Sequence, residues 1–374
     1  MHRFAVLPAF VQIQTGLTEY TQEGQIVMTS IGILGAGTWG TALAKMLAKG
    51  GNDVTVWSAL EQEIDELSST HVHPKLPGVE LPETIRFTKD IMQACREQQM
   101  VIFAVPSVFI RQTAKQAAAY LNEQQVIINV SKGMERDTLF TMTQVIQDQL
   151  KKETDKTFSK IVALTGPTHA EEVAVDMPTA IVSACEDIAT AEYVQDVFMN
   201  TCLRVYTNED VTGVEICGAM KNIIALAAGI LTGLGYGDNT RAALITRGLA
   251  EITRLGMAMG CMEQTFYGLA GIGDLIVTAT SRHSRNYQCG KLIGQGVPAA
   301  DAVQQIGMVV EGINAIPAAL VLKNRYHVEL PIIEAADAVI NQGIDPKQAV
   351  YDLMVRDKRS ELSKRIHRTQ EVQS

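Results

Sequence analysis

A glycine-rich turn near residue 35 constrains the fold of this chain more than any other sequence feature. It reads Gly35-Ala-Gly-Thr-Trp-Gly40 and lies between an apolar run at residues 31–34 and a helix-forming run at residues 41–49, with a second apolar run at residues 54–57. A G-x-G-x-x-G sequence indicates a dinucleotide site when it stands in such a strand–turn–helix–strand context. The alternative is a glycine turn in an unrelated α/β protein.

Strands and helices continue to alternate through the first half of the chain. Apolar runs at residues 100–105, 126–130 and 161–164 are typical of buried parallel strands, and they end in Pro106-Ser107, in Lys132 and in residues 166–168 respectively. Alternating strands and helices predict a doubly wound sheet, whose ligands bind beyond the carboxyl ends of the strands. We therefore expect these three strand ends to share one edge.

From about residue 211 the pattern changes to long apolar helical runs without a convincing strand. The predicted helices lie at residues 214–229, 241–260, 300–307, 312–323, 332–341 and 346–355. The predicted fold class is α/β, with an N-terminal doubly wound Rossmann-type domain and a C-terminal all-helical domain. We divide the chain into an N-terminal extension (residues 1–28), a dinucleotide-binding domain (29–212), an all-helical substrate domain (213–360) and a charged tail (361–374).

Composition narrows the class of protein. The net charge of −9, with no basic tract, argues against a nucleic-acid partner. We expect no apolar run to reach the roughly 18 residues of a membrane span. Six widely spaced cysteines without a C-x-x-C pair indicate neither a metal site nor a disulfide framework, which fits a reducing cytoplasm. Residues 1–27 lack a signal-peptide cleavage site, and we expect Met28 to be the natural start.

The helical half supplies the candidate cations. Lys221 and Asn222 lie in the middle of a helix that is apolar nearly all round, where a desolvated lysine would have a lowered pKa suited to proton transfer. The segment Thr280-Ser-Arg-His-Ser-Arg-Asn286, at a predicted helix start, is suited to binding a phosphate. The alternatives are an ordinary surface lysine and a solvated loop.

Three charged residues on the following predicted helix have another explanation. Arg247, Glu251 and Arg254 are spaced at i, i+4 and i+7. We predict intrahelical ion pairs among them in preference to substrate contacts.

Nine motifs in order closely resemble the bacterial NAD(P)-dependent glycerol-3-phosphate dehydrogenase family over residues 29–360. They are GAGTWGTALA at 35–44, VPS at 105–107, SKG at 131–133, GPTHAEEVA at 166–174, RVYTNEDVTGVEICGAMKN at 204–222, GLGYGDNTRAALITRGL at 233–249, GLAGIGDL at 268–275, SRHSRN at 281–286 and VVEG at 309–312. The resemblance implies reversible hydride transfer between dihydroxyacetone phosphate and sn-glycerol 3-phosphate, in the supply of glycerol 3-phosphate for phospholipid synthesis.

The resemblance also implies roles for individual residues. Lys221 matches the proton donor or acceptor for the C2 oxygen, and Asp274 matches a substrate-site carboxylate that could orient this lysine. The substrate-binding positions that it implies are Lys132, Gly166, Thr168, Lys221, Asp274, Ser284, Arg285 and Asn286. The cofactor-binding positions that it implies are Gly35, Gly37, Thr38, Trp39, Gly40, Lys132, Ala170, Arg285, Val309 and Glu311.

The choice between NAD and NADP stays open in the sequence. An acidic residue at the end of the second strand favours NAD, and a cation there favours NADP. This strand is followed by Ser58 and Ala59, which are neither, and then by Glu61. The resemblance leans slightly toward NADPH, whereas Glu61 would favour NADH. Two departures from the family are Thr168 where Ser is common and Lys75 where an aromatic is usual.

Two other functions compete with this interpretation. A lysine-dependent reductase of another small substrate, of the ketopantoate or 6-phosphogluconate type, would share the sheet and the lysine but is not expected to carry both GLAGIGDL and SRHSRN. A non-catalytic dinucleotide-binding module would be expected to have lost Lys221 or Arg285, and both are present. The expected partner is a small-molecule substrate, with no nucleic acid and no membrane, and apolar helical surface could support a homodimer.

Overall fold

The N-terminal half of the chain is built on one eight-stranded sheet. In the computed structural model, which describes residues 28–358, 360 and 361, the strands are β1 (Ser30–Leu34), β2 (Asp53–Trp57), β3 (Arg86–Thr88), β4 (Met100–Phe103), β5 (Val126–Asn129), β6 (Ile161–Thr165), β7 (Thr179–Ala184) and β8 (Leu203–Asn208). The extension at residues 1–27 and nearly all of the tail predicted at 361–374 lie outside the described residues.

Helices connect these strands and make up most of the described chain after β8. They are α1 (Thr38–Lys49), α2 (Glu61–Thr70), α3 (Ile91–Cys95), α4 (Ile110–Ala117), α5 (Met142–Glu153), α6 (Ala170–Val173), α7 (Ile188–Met199), α8 (Val211–Gly233), α9 (Asp238–Ala258), α10 (Glu263–Phe266), α11 (Asp274–Thr280), α12 (Arg285–Gly294), α13 (Ala299–Ile306), α14 (Glu311–Tyr326), α15 (Pro331–Asn341) and α16 (Pro346–Met354). This distribution confirms the predicted combination of a Rossmann-like part with an all-helical part.

The order of the strands places the ligand edge. The sheet runs β3-β2-β1-β4-β5-β6-β7-β8, and every neighbouring pair is parallel except β6 and β7. The strand order reverses at β1, and ligands of open α/β sheets bind at such a switch point, beyond the carboxyl ends of the strands. Since β4, β5 and β6 run parallel, their carboxyl ends share this edge with β1, as predicted. The strands β7 and β8 run in the opposite direction to β6.

Helix α8 is the centre of the helical half. Eighteen of its 23 residues are buried, and α9, α11, α12 and α14 pack around it. Glycines let α12 approach its backbone closely: a Cβ on Gly290 would lie 2.0 Å from the carbonyl oxygen of Leu226, and one on Gly229 would lie 2.1 Å from that of Tyr287. Polar side chains on α8 are therefore held in a tightly packed environment.

The same helix corrects one expectation from the sequence. From the sequence we expect no apolar run long enough to span a membrane. By length and composition, however, α8 is such a run. In the structure 94% of its most apolar window is buried. Its apolar surface is thus covered by other helices of the same chain, as in the core helix of a globular protein.

A short junction joins the two halves. Only residues 209 and 210 separate the end of β8 from the start of α8. The side chain of Asp210 accepts hydrogen bonds from the backbone N–H of Gly213 and of Met262, both at 2.9 Å, and from the Thr265 hydroxyl at 2.7 Å. The junction is therefore fixed to both α8 and α10.

A second contact ties α8 to the sheet. The buried carboxylate of Glu215 accepts hydrogen bonds from the backbone N–H of Thr143 at 3.0 Å, from the Thr143 hydroxyl and from the Asn129 amide at 3.2 Å. Burial raises the pKa of Glu215, and these hydrogen bonds oppose the rise. Glu215 thus links the N-terminal part of α8 to β5 and α5.

The ion pairs predicted within α9 do not form among the described residues. Glu251 is buried, and its carboxylate instead accepts hydrogen bonds from the backbone N–H groups of Ile332 and Ile333, at 2.8 and 3.3 Å. Arg254 donates to the backbone carbonyl of Glu329. The prediction was wrong because α9 packs against the start of α15, whose unpaired N–H groups attract the carboxylate more closely than a neighbouring arginine does.

Candidate active site

The glycine turn forms a cradle at the switch point. Gly35 has φ of +123°, and an added Cβ there would lie 2.8 Å from the backbone of Ala104. A Cβ on Gly40 would lie 2.0 Å from the Gly35 carbonyl oxygen, whereas one on Gly37 would meet nothing within 4 Å. The first and third glycines are thus required by packing, and the second leaves open space before the start of α1. Such a cradle fits a pyrophosphate.

A buried lysine–aspartate–lysine cluster lies where the two halves meet. Lys221 of α8 donates to Oδ1 of Asp274 at 2.6 Å, and Lys132, which follows β5, donates to Oδ2 of the same carboxylate at 2.6 Å. Lys132 also donates to the Gly166 carbonyl oxygen at 2.9 Å. The side chains of Lys221 and Asp274 are 5% and 1% exposed, and that of Lys132 is 19% exposed. Two lysines from distant motifs therefore converge on the carboxylate of a third predicted residue, Asp274.

The electrostatics of this cluster favour proton transfer at Lys221. Burial lowers the pKa of Lys221 to about 7; the Asp274 carboxylate opposes this shift, and the Lys132 ammonium adds to it. Burial alone would raise the pKa of Asp274, but the two ammonium groups outweigh it and lower this pKa. Asp274 is therefore ionised, while Lys221 can gain or lose a proton near neutral pH.

Thr278 belongs to this cluster and was missed in the sequence. Its hydroxyl lies 2.5 Å from Nζ of Lys221 and donates to the Asp274 carbonyl oxygen at 2.6 Å, one turn earlier on α11. It follows GLAGIGDL by three positions, so helical spacing from Asp274 was a signal that could have identified it.

The Ser-Arg-Asn segment begins α12, as predicted. Ser284 is the N-cap residue, and its hydroxyl accepts from the backbone N–H of Tyr287 at 3.2 Å. The Asn286 amide donates to Asn222 at 3.0 Å and accepts from the backbone N–H of Gly312 at 2.8 Å. Ser284 and Asn286 are thus buried and support the local structure, in addition to the substrate contact that was predicted for each.

Glu311 joins the two halves near the glycine turn. Its carboxylate accepts from the Ser107 backbone N–H at 3.1 Å and from the Ser107 hydroxyl at 2.6 Å. Burial raises the pKa of Glu311; the contacts with Ser107 and the charge of Arg285 oppose that rise. Arg285 is exposed and Val309 is half-buried. These residues bring α12 and the start of α14 to the carboxyl end of β4.

The segment after β6 contacts the cluster through the carbonyl oxygen of Gly166, which accepts a hydrogen bond from Lys132. Gly166 is close-packed, since a Cβ there would lie 3.0 Å from the Cα of Ile181. The Thr168 hydroxyl donates to the Gly166 carbonyl oxygen at 3.2 Å, and Ala170 begins α6. His169 was not predicted: its ring lies 5.7 Å from that of His283, and its buried Nε2 has no partner in the part of the chain that the structure describes.

The acidic residue at the end of β2 is not the one that the sequence suggested. Glu61 is 75% exposed and lies 3.6 Å from Lys89. The acidic residue at Ser58 is instead Glu63, whose carboxylate accepts a hydrogen bond from the Ser58 hydroxyl at 2.6 Å. Sequence reasoning missed Glu63 because one helical turn brings it back over the strand end.

Comparisons with known proteins agree with this geometry. A family model described as the N-terminus of NAD-dependent glycerol-3-phosphate dehydrogenase matches residues 30–191, and the model of its C-terminus matches residues 210–351. A glycerol-3-phosphate dehydrogenase (NAD(P)+) 2 of Lactobacillus delbrueckii subsp. bulgaricus is 60% identical over 337 residues, which are 90% of this chain and 100% of that relative.

Two further relatives extend the comparison. A glycerol-3-phosphate dehydrogenase (NAD(P)+) of Agathobacter rectalis is 48% identical, over 90% of this chain and 98% of that relative. The crystal structure of the glycerol-3-phosphate dehydrogenase of Coxiella burnetii is similar with a TM-score of 0.82 and 34% identity, over 88% of this chain and 99% of that one.

Proposed function

Because this chain belongs to the NAD-dependent glycerol-3-phosphate dehydrogenase family, we propose that it catalyses reversible hydride transfer between dihydroxyacetone phosphate and sn-glycerol 3-phosphate, with NAD or NADP as cofactor. The observation that carries this proposal is the buried Lys221, held 2.6 Å from an Asp274 carboxylate that it shares with Lys132. A non-catalytic nucleotide-binding module would not require a buried lysine of lowered pKa at the meeting point of its two halves.

Lys221 exchanges the proton in this proposal. The nicotinamide, when bound, supplies the hydride for reduction and accepts it for oxidation. In reduction, Nζ of Lys221 donates a proton to the C2 oxygen as that oxygen gains charge, and in oxidation the neutral amine removes it. Burial favours the neutral amine, and Asp274 favours the ammonium, so both protonation states are accessible near pH 7.

The remaining residues orient Lys221 and bind the substrate and the cofactor. Asp274 and Thr278 fix the position of the Lys221 ammonium through the hydrogen bonds described above. Lys132 and the start of α12, with Arg285, supply positive charge for the substrate phosphate. The substrate set that we propose is Lys132, Gly166, Thr168, Lys221, Asp274, Ser284, Arg285 and Asn286. The cofactor set is Gly35, Gly37, Thr38, Trp39, Gly40, Lys132, Ala170, Arg285, Val309 and Glu311.

The wider role follows from the reaction. We propose that the enzyme works in the cytoplasm and supplies glycerol 3-phosphate for phospholipid synthesis, and that neither a membrane nor a nucleic acid takes part. Exposed apolar residues in the helical half, among them Val321, Tyr351 and Met354, are compatible with a homodimer.

The test is the oxidation of NADH, and separately of NADPH, by the purified protein with dihydroxyacetone phosphate. Lys221→Ala should abolish turnover, while Lys151→Ala, which removes an exposed lysine on α5, should leave it unchanged. A folded protein that binds nucleotide but oxidises neither cofactor would show that the chain is a binding module.

A further inference from the structure

We propose that this enzyme discriminates between its two cofactors through Glu63, and that it prefers NADH to NADPH. This inference rests on the proposed function and concerns the end of β2, where Rossmann-type domains distinguish a ribose 2′-hydroxyl from a 2′-phosphate. The backbone N–H of Gly35 donates to the Trp57 carbonyl oxygen at 2.8 Å, so the glycine turn lies directly beside this strand end. Ser58, the next residue, is buried there.

The hydroxyl of Ser58 is already engaged. It donates to Oε2 of Glu63 at 2.6 Å and accepts from the backbone N–H of Leu60 at 3.2 Å. To donate to a 2′-phosphate it would have to leave the Glu63 carboxylate, which would then face the phosphate as a like charge. A 2′-hydroxyl, by contrast, is itself a donor and can share the carboxylate.

The nearby charges act in the same direction. Glu61 and Glu63 both lie in the first turn of α2, where a helix N-terminus would otherwise attract a phosphate. Lys89 is paired with Glu61 at 3.6 Å and with Asp65 at 2.8 Å, so its charge is already balanced. The strand end is therefore surrounded by net negative charge.

Two further basic side chains lie on the neighbouring loop. His73 is buried beside the Ala36 carbonyl, and burial lowers its pKa, so it is neutral at physiological pH. Lys75 is exposed, and its backbone N–H donates to Nδ1 of His73 at 3.1 Å. Lys75 is thus the cation on this loop that could favour NADPH, and the experiment tests it separately.

The experiment measures dissociation constants for NADH and NADPH by quenching of intrinsic fluorescence, without substrate, together with kcat/KM for each cofactor. The wild-type enzyme should bind NADH at least about tenfold more tightly than NADPH, since a like charge at this position is costly. Glu63→Gln should reduce this ratio mainly by tightening NADPH. The control Glu66→Gln, which removes an exposed carboxylate one turn later on α2, and Lys75→Met should both leave the ratio unchanged.

The outcomes separate the two proposals. Three results would each overturn the role of Glu63 while leaving the proposed dehydrogenase function intact. They are a wild-type preference for NADPH, an NADH-to-NADPH binding ratio that Glu63→Gln does not change, and a selective loss of NADPH binding in Lys75→Met. Absence of turnover with both cofactors would overturn the proposed function, while the binding ratio would still report on Glu63.

Discussion

At the scale of single residues, burial decides what each charged group in this enzyme can do. Lys221 and Lys132 contact the same carboxylate, but Lys221 is the more deeply buried of the two, and this burial lowers its pKa to about 7. The sequence could identify both lysines from their motifs. It could not predict that they share Asp274, because this depends on how the two halves pack.

The pH dependence of the reaction should report the state of Lys221. Reduction requires the ammonium and oxidation requires the amine, so kcat/KM for reduction should fall as the pH rises above about 7, and that for oxidation should fall below it. Asp274→Asn removes the charge that opposes the effect of burial, which should move both profiles to lower pH. Asp301→Asn, on the exposed side of α13, serves as the control, and profiles that do not move in Asp274→Asn would contradict the assignment.

Two glycines of the turn should respond differently to the same change. Gly37→Val places a side chain in open space with an allowed backbone (φ −63°), so the protein should fold normally but lose nucleotide binding. Gly40→Val would place its Cβ 2.0 Å from the Gly35 carbonyl oxygen and should destabilise the fold. Calorimetric titration with NADH and thermal unfolding would measure both effects. Nucleotide binding retained in Gly37→Val would contradict the proposed pyrophosphate position.

At the scale of elements, the sequence predicts which strands and helices exist better than it predicts what their polar faces contact. The apolar runs predicted as strands at residues 126–130 and 161–164 coincide with β5 and β6 to within one residue, and the predicted start of α12 at the Ser-Arg-Asn segment is confirmed. The ion pairs predicted in α9 were wrong. Spacing within one helix identifies neighbours along that helix, but Glu251 binds the start of another one, 81 residues later.

Glu251 should make stability depend on pH. Burial raises its pKa to about 7, whereas the unfolded value is near 4.5, so the protonated form favours folding. Its contribution is complete below about pH 4.5 and is lost as the pH rises through 7, which amounts to roughly 3 kcal/mol. Relative to wild type, Glu251→Gln should therefore gain stability between pH 5 and pH 8 in urea unfolding. Glu263→Gln, at an exposed site, should show no such gain, and an equal response of the two variants would contradict the argument.

At the scale of the whole molecule, the active site exists only because the sheet and the helical half are held together. Lys132 comes from the first and Lys221 from the second, and Glu215 fixes α8 against β5 and α5. Lys132 and Lys221 were predicted from the sequence. The tether that Glu215 forms between α8 and the sheet was not predicted. A buried glutamate in an apolar run carries no pattern that distinguishes it from a surface residue.

Removal of this tether should destabilise the whole protein. Glu215→Ala leaves the buried donors of Thr143 and Asn129 without their acceptor, which should cost about 3 kcal/mol in the free energy of unfolding. Urea unfolding measures this loss. Glu209→Ala, an exposed residue of the same junction, should change stability little, and a similar loss in both variants would show that the tether has no special role.

The short junction has a consequence for dissection of this protein. A protease needs an accessible, extended stretch of chain, and the junction offers only residues 209 and 210, of which Asp210 is bound to α8 and α10. Limited digestion should therefore not release two stable halves. Separate expression of the halves should also fail, since some contacts that cover α8 come from β6. Although two family models match it piece by piece, the protein cannot be handled as two exchangeable modules.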